Sequence, residues 1–158
     1  MLLGMVVAGA NAWASNAPKP LSAKKFDALA NAALEAMKQK AAELKVTGVA
    51  VVNYAPGDSV QGWTSKMAVV GKMKDVPTET SKGNNLLGIA YAKSAEMADT
   101  LVNSGTSKRP PMTGEFGWQG GVVTKAKGGY IIVSFSGGKS EDDVQVSKAG
   151  LEVFNKGL

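Results

Sequence analysis

Cysteine and histidine are both absent from this 158-residue chain. Without cysteine there is no disulfide framework, no thiolate metal site and no cysteine nucleophile. Without histidine the chain lacks the commonest metal ligand and the usual general base, and a Ser-His-Asp triad is out of reach. No GxGxxG segment or phosphate-binding loop is present either. The formal charge is +5, from 18 basic and 13 acidic residues, and the isoelectric point is near 9.4. The bases are nevertheless scattered, and the densest pair, Lys108-Arg109, is followed by Pro110-Pro111 rather than by aromatics. Nucleic-acid faces need clustered bases or stacking platforms, so a solvated surface is the reading and no nucleic-acid partner is expected.

The stretch from Gly117 to Phe154 is the longest run in which all local signals agree. From Tyr130 the residues alternate, with Ile131, Val133 and Phe135 on one face and Tyr130, Ile132, Ser134 and Ser136 on the other. That is the period of a strand with one strongly apolar side. Lys127-Gly128-Gly129 lets the preceding Val122 to Lys125 fold back antiparallel, which predicts a hairpin. Gly137-Gly138 then turns the chain, Ser140 stands where a helix N-cap belongs, and Asp143 is three positions on to answer its backbone N–H. Glu141, Asp142 and Asp143 crowd the first turn, where the helix dipole favours negative charge. Val146, Ala149, Gly150, Val153 and Phe154 recur at helical spacing.

The order Gly120-Gly121, hairpin, Gly129, apolar strand, Ser134-Phe135-Ser136-Gly137-Gly138 and Asp143 resembles the carboxy-terminal signature of the GlcG/HbpS-like family. That family includes heme-binding proteins and the carboxy-terminal domain of some PduO-type cobalamin adenosyltransferases. The likeness covers about forty residues and is weaker upstream, where Ala92-Lys93-Ser94-Ala95 is similar to the family's Lys-Ala helix segment. It implies a profilin-like arrangement of five antiparallel strands between helical layers, assembly into a homo-oligomer, and a bound small ligand such as heme or another tetrapyrrole. Since histidine is the usual axial ligand of heme iron, any heme here is held by Tyr, Met or Lys, or by packing alone.

Upstream, Met1 to Ala14 is apolar and uncharged and ends in Ala12-Trp13-Ala14, which fits the small-x-small rule for signal cleavage. No Lys or Arg precedes the apolar run, so the basic leader of an export signal is missing. Export to the periplasm or medium is the expectation, with residues 15–158 as a single domain; an apolar terminal segment that simply packs is the alternative. Fourteen residues fall short of the roughly 20 that span a bilayer, so no stable membrane span is expected. A domain of this size buries roughly 68–70% of its unfolded surface and needs no second core.

Ser22 caps a helix expected to run to about Lys45, with Phe26, Leu29, Ala33, Met37, Ala41 and Leu44 as its apolar stripe. Val49 to Tyr54 reads as a short strand buried on both faces, and Val60 to about Met73 as a second strand region bent near Gly62 or Gly71. Met67 and Met73 are either soft thioether ligands or core filler. Asp75 to Asn84 reads as a loop. A second long helix is expected from about Asn85 to Val102, and on it Lys93 either snorkels to solvent or holds an anionic group such as a propionate. The linker from Asn103 to Gly117 is long for a compact domain and delivers Phe116 and Trp118 to the hairpin, either to flank a flat ligand or to pack under the loop.

The element order, with hairpin connections rather than regular strand-helix-strand alternation, predicts an α+β domain with an antiparallel sheet. The unpaired N–H groups after Gly137-Gly138, at a helix start, form an expected anion seat with Lys93 beside it. The ligand-binding set is therefore Lys93, Gly120, Gly121, Ser136, Gly137 and Gly138, on a small-ligand-binding protein without catalytic or metal residues. Two further readings stand beside it: a structural or accessory homo-oligomer without ligand, and a small-molecule enzyme built on Ser136 and Lys139. The S-x-x-K spacing of that last pair spans a glycine corner rather than one helical turn, which is poor geometry for a lysine base.

Overall fold

A computed structural model describes residues 19–158. The expected export segment, residues 1–14, lies outside the described residues. Three helices and six strands follow in the order α1 (Ala23–Glu43), β1 (Gly48–Pro56), β2 (Thr64–Val70), β3 (Lys74–Asp75), β4 (Asn84–Asn85), α2 (Leu86–Thr100), β5 (Gly121–Ala126), β6 (Gly129–Ser136) and α3 (Ser140–Gly157). The main sheet is fully antiparallel, in the order β2-β1-β6-β5. Among the described residues no helix is long and apolar enough to cross a membrane.

Strand β6 is buried along its whole length, and its period-two pattern sorts the core into two layers. Ile131, Val133 and Phe135 sit opposite Tyr54, Val52 and Ala50 of β1. Together with Phe26, Met37, Val146 and Phe154 they form the larger core, under α1 and α3. On the other face Val49 and Val51 pack with Leu86 and Ala90 of α2. Helices thus cover both faces, and the central strands read as near-continuous apolar runs because neither face meets water.

The α+β class is as the sequence implies, but the main sheet has four strands rather than five. The expected strand from Val60 to Met73 shortens to Thr64–Val70, because the chain reverses at Gly71, which sits at φ +79°. The residues beyond it form a separate two-stranded ribbon, β3 with β4, where Lys74 pairs Asn85 and Asp75 pairs Asn84. Asp75 and Asn84, expected to bound a loop, are thereby locked opposite one another across the foot of α2.

The start of α3 also departs from expectation. Lys139, not Ser140, is the N-cap, and no side chain caps the helix. Asp143 leans back past Ser140, and its Oδ1 accepts the Gly138 N–H at 2.8 Å.

A candidate ligand cleft between α2 and the glycine corner

Ser134 and Ser136 point to the α2 side of β6 because Phe135 between them faces the main core. A cleft of about 120 Å³ opens there, bounded by Leu86, Ile89 and Lys93 of α2, by the corner from Ser136 to Ser140, by Asp143, by Trp118 and Gln119 of the long loop, and by Asp75 and Asn84 of the ribbon. Ser136 is 4% exposed, lies on the cleft, and its hydroxyl makes no hydrogen bond among the described residues.

The back of the cleft is closed by an ion pair. Lys93 Nζ donates to Asp143 Oδ2 at 2.8 Å and to the Phe135 carbonyl at 2.8 Å, and both side chains are almost fully buried. Burial pulls the Lys93 ammonium below its ordinary range, opposed by the charge of Asp143. Burial likewise pushes the Asp143 carboxyl up, opposed by Lys93 and by the Gly138 and Gly137 N–H groups. Each charge is tolerated because the other is in place. Lys93 therefore neither snorkels nor offers a free ammonium to a ligand. The anion seat expected at Gly138 is likewise taken, by the carboxylate of Asp143.

Gly120 sits against this pair at φ +133°, where a Cβ would overlap Lys93 Nζ and stand 2.8 Å from Asp143 Cβ. Its carbonyl accepts two hydrogen bonds, from the Phe135 N–H at 3.0 Å and the Ser147 hydroxyl at 2.7 Å. Gly121 donates its N–H to Ser104 Oγ at 2.8 Å and leaves room for Met97. Of the six residues expected to bind ligand, Lys93, Ser136, Gly137 and Gly138 border the cleft. Gly120 and Gly121 stand behind it as packing positions for Lys93 and Met97. Lys139 does not border it, so the Ser136 and Lys139 pair is not assembled there. Neither Met67 nor Met73 reaches it: Met67 packs beside the smaller core and Met73 is exposed.

Sequence reasoning missed Asp75 and Asn84, because a two-residue strand leaves no periodic signature. It also missed how the long loop is held. Arg109 donates to Asp99 and to both oxygens of Glu115, and Glu115 Oε2 accepts the Met112 N–H at 2.8 Å. The Arg109 guanidinium, then the Met112 N–H, hold the Glu115 carboxyl down at about 2. This clamp presents Phe116 and Trp118, whose rings lie 4.8 Å apart at 31° and are both about half exposed.

No protein-family model matches the sequence, and no curated protein matches it. Among solved structures, the crystal structure of a PduOC:heme complex overlays 87% of this chain on 96% of that one, with 16% identity and a TM-score of 0.56. The chain has the PduOC fold. An HbpS double mutant from Streptomyces reticuli matches over 96% of this chain and 98% of that one, with 20% identity and a TM-score of 0.43. The resemblance read from residues 117–154 pointed to this same group of proteins. In the PduOC fold as this chain builds it, the cleft lies where the carboxy end of a central strand, a helix start and a long aromatic-bearing loop converge.

Proposed function

We propose that this protein binds a small, flat ligand that rests on the Phe116–Trp118 pair and inserts one substituent into the cleft. The observation that carries this reading is Ser136, a residue only 4% exposed whose hydroxyl opens onto the cleft and has no hydrogen-bond partner among the described residues. A hydroxyl with no protein partner at the wall of a narrow cleft is a place where a ligand atom gains a directional bond. The fold shared with a heme-complexed protein makes a tetrapyrrole the first class to test.

An enclosed, axially ligated heme does not fit. The sequence has no histidine, Lys93 is committed to Asp143 and Phe135, and no Tyr or Met borders the cleft. Its volume of about 120 Å³ is also below the roughly 300–1,000 Å³ of pockets that enclose a drug-sized ligand. Packing on the exposed aromatic pair is the mode these residues support.

Absorbance titration with hemin tests the tetrapyrrole. A saturable Soret shift that weakens in Trp118→Ala supports it, and unsaturable scatter removes it. The reading extends to an exported protein, on the strength of the apolar run from Met1 to Ala14, and the terminus found by mass spectrometry after cell fractionation tests that. A homo-oligomer is a second reading, favoured by Trp63 and Leu101, which are exposed on the walls of one shallow groove. Scattering mass decides it.

A further inference from the structure

The cleft carries charges whose arrangement selects among ligand groups. Its one ammonium, on Lys93, and the Gly138 N–H are both spent on Asp143. Opposite them stands Asp75, whose Oδ1 is 2.6 Å from Lys72 Nζ and whose Oδ2 accepts from Asn84 at 2.9 Å. These two contacts hold the Asp75 carboxyl below its usual range, so it is ionised at neutral pH. A carboxylate entering the cleft would meet no uncommitted cation among the residues that line it, and would lie beside the Asp75 carboxylate, whose charge Lys72 offsets in part. A neutral hydrogen-bonding group meets no such penalty and finds the Ser136 hydroxyl free.

We propose that the cleft is a subsite for an uncharged hydrogen-bonding group, a primary amide or an alcohol, and that it excludes carboxylates. The proposal rests on the reading of this cleft as the ligand site. It also inverts the sequence-based expectation of a propionate held by Lys93. A tetrapyrrole bound at the rim would keep its propionates in solvent.

The full chain is titrated with propionamide and, separately, with propionate, following the backbone N–H of Gly138 and the indole N–H of Trp118 by NMR. Propionamide is expected to shift both resonances saturably, and propionate to bind at least about tenfold more weakly, the scale of one unfavourable buried charge. Ser136→Ala is expected to abolish the propionamide response while the rest of the spectrum is unchanged. Asp75→Asn, which removes the carboxylate and releases the Lys72 ammonium from it, is expected to bring propionate binding up severalfold. Propionate binding as tightly as propionamide, or shifts from neither probe, overturns the proposal. The hemin titration fails independently: shifts from propionamide without hemin binding remove the tetrapyrrole and keep this subsite, while hemin binding without discrimination between the two probes does the reverse.

Discussion

Lys93, in the middle of α2, and Asp143, in the first turn of α3, meet at 2.8 Å although 50 positions separate them in the chain. The pair joins the helix on one face of the sheet to the helix on the other, through the end of β6, where Phe135 supplies a second acceptor to Lys93. Removing one member strands the other charge in a site where both side chains are almost fully buried.

Asp143→Ala is therefore expected to destabilise the protein by about 3–5 kcal/mol, the range for breaking a buried pair. Lys93→Met should cost a similar amount, while the double replacement Lys93→Met with Asp143→Leu should recover most of the loss. Urea denaturation of the four proteins forms the cycle. If the two single losses simply add, the pair is not coupled as described.

Gly120 is the position that lets this pair form. Alanine there would overlap Lys93 Nζ and hold an unfavourable φ, and is expected to lower stability by about 1–3 kcal/mol or more. Gly114 provides the control, because it also has positive φ, +95°, but nothing lies within 4 Å of an added Cβ. Gly114→Ala should show the backbone cost alone. Equal shifts in melting temperature for the two variants would mean that contact with Lys93 does not restrict Gly120.

Much of this was legible beforehand, and for identifiable reasons. The alternation of Ile131, Val133 and Phe135 against Ser134 and Ser136 fixed both the register of β6 and the side on which a polar cleft forms, since a one-residue slip would exchange the two faces. The turn at Gly128 and the corner at Gly137-Gly138 were legible because glycine marks positions of positive φ, here +79° at Gly128 and +151° at Gly137. What the chain did not disclose is pairing over distance. Asp143 at a helix start reads as a local cap, and only the fold brings a lysine from another helix to its second oxygen. The β3–β4 ribbon was invisible for the opposite reason: two residues per strand are too few for a period, and its one side-chain tie, Asn84 to Asp75, spans a polar segment that reads as loop.

The Arg109–Glu115 clamp gives the long loop a pH dependence. The folded carboxyl of Glu115, at about 2, lies below its unfolded value of 4.5. The unfolded loop thus binds more protons in that window, so the stabilisation is complete above about pH 4.5 and is lost as pH falls toward 2. Carbon-detected NMR titration of Glu115 should show this low midpoint, and Glu115→Gln should remove the pH dependence of Phe116 and Trp118 resonances between pH 4.5 and 2. A Glu115 midpoint near 4.5 would show that Arg109 does not hold it.

On the α2 face, Asn53 of β1 starts a one-way chain of hydrogen bonds. Its Nδ2 donates to Ser94 Oγ at 3.1 Å, Ser94 and Ser134 share a bond of 2.9 Å, and Ser134 Oγ donates to the Ala90 carbonyl at 2.8 Å. Asn53 Oδ1 has no partner, so the amide is already half satisfied in a fully buried site. Ser94→Ala leaves its amide nitrogen with only a 3.4 Å contact to the Ile132 carbonyl, and should cost about 1–3 kcal/mol for the desolvated group. Adding Asn53→Leu to that variant removes the stranded amide and fills the space with carbon, which should return stability close to that of the parent. The urea midpoint reads both steps at constant slope. A double variant no more stable than Ser94→Ala alone would locate the cost in packing volume rather than in the unpaired amide.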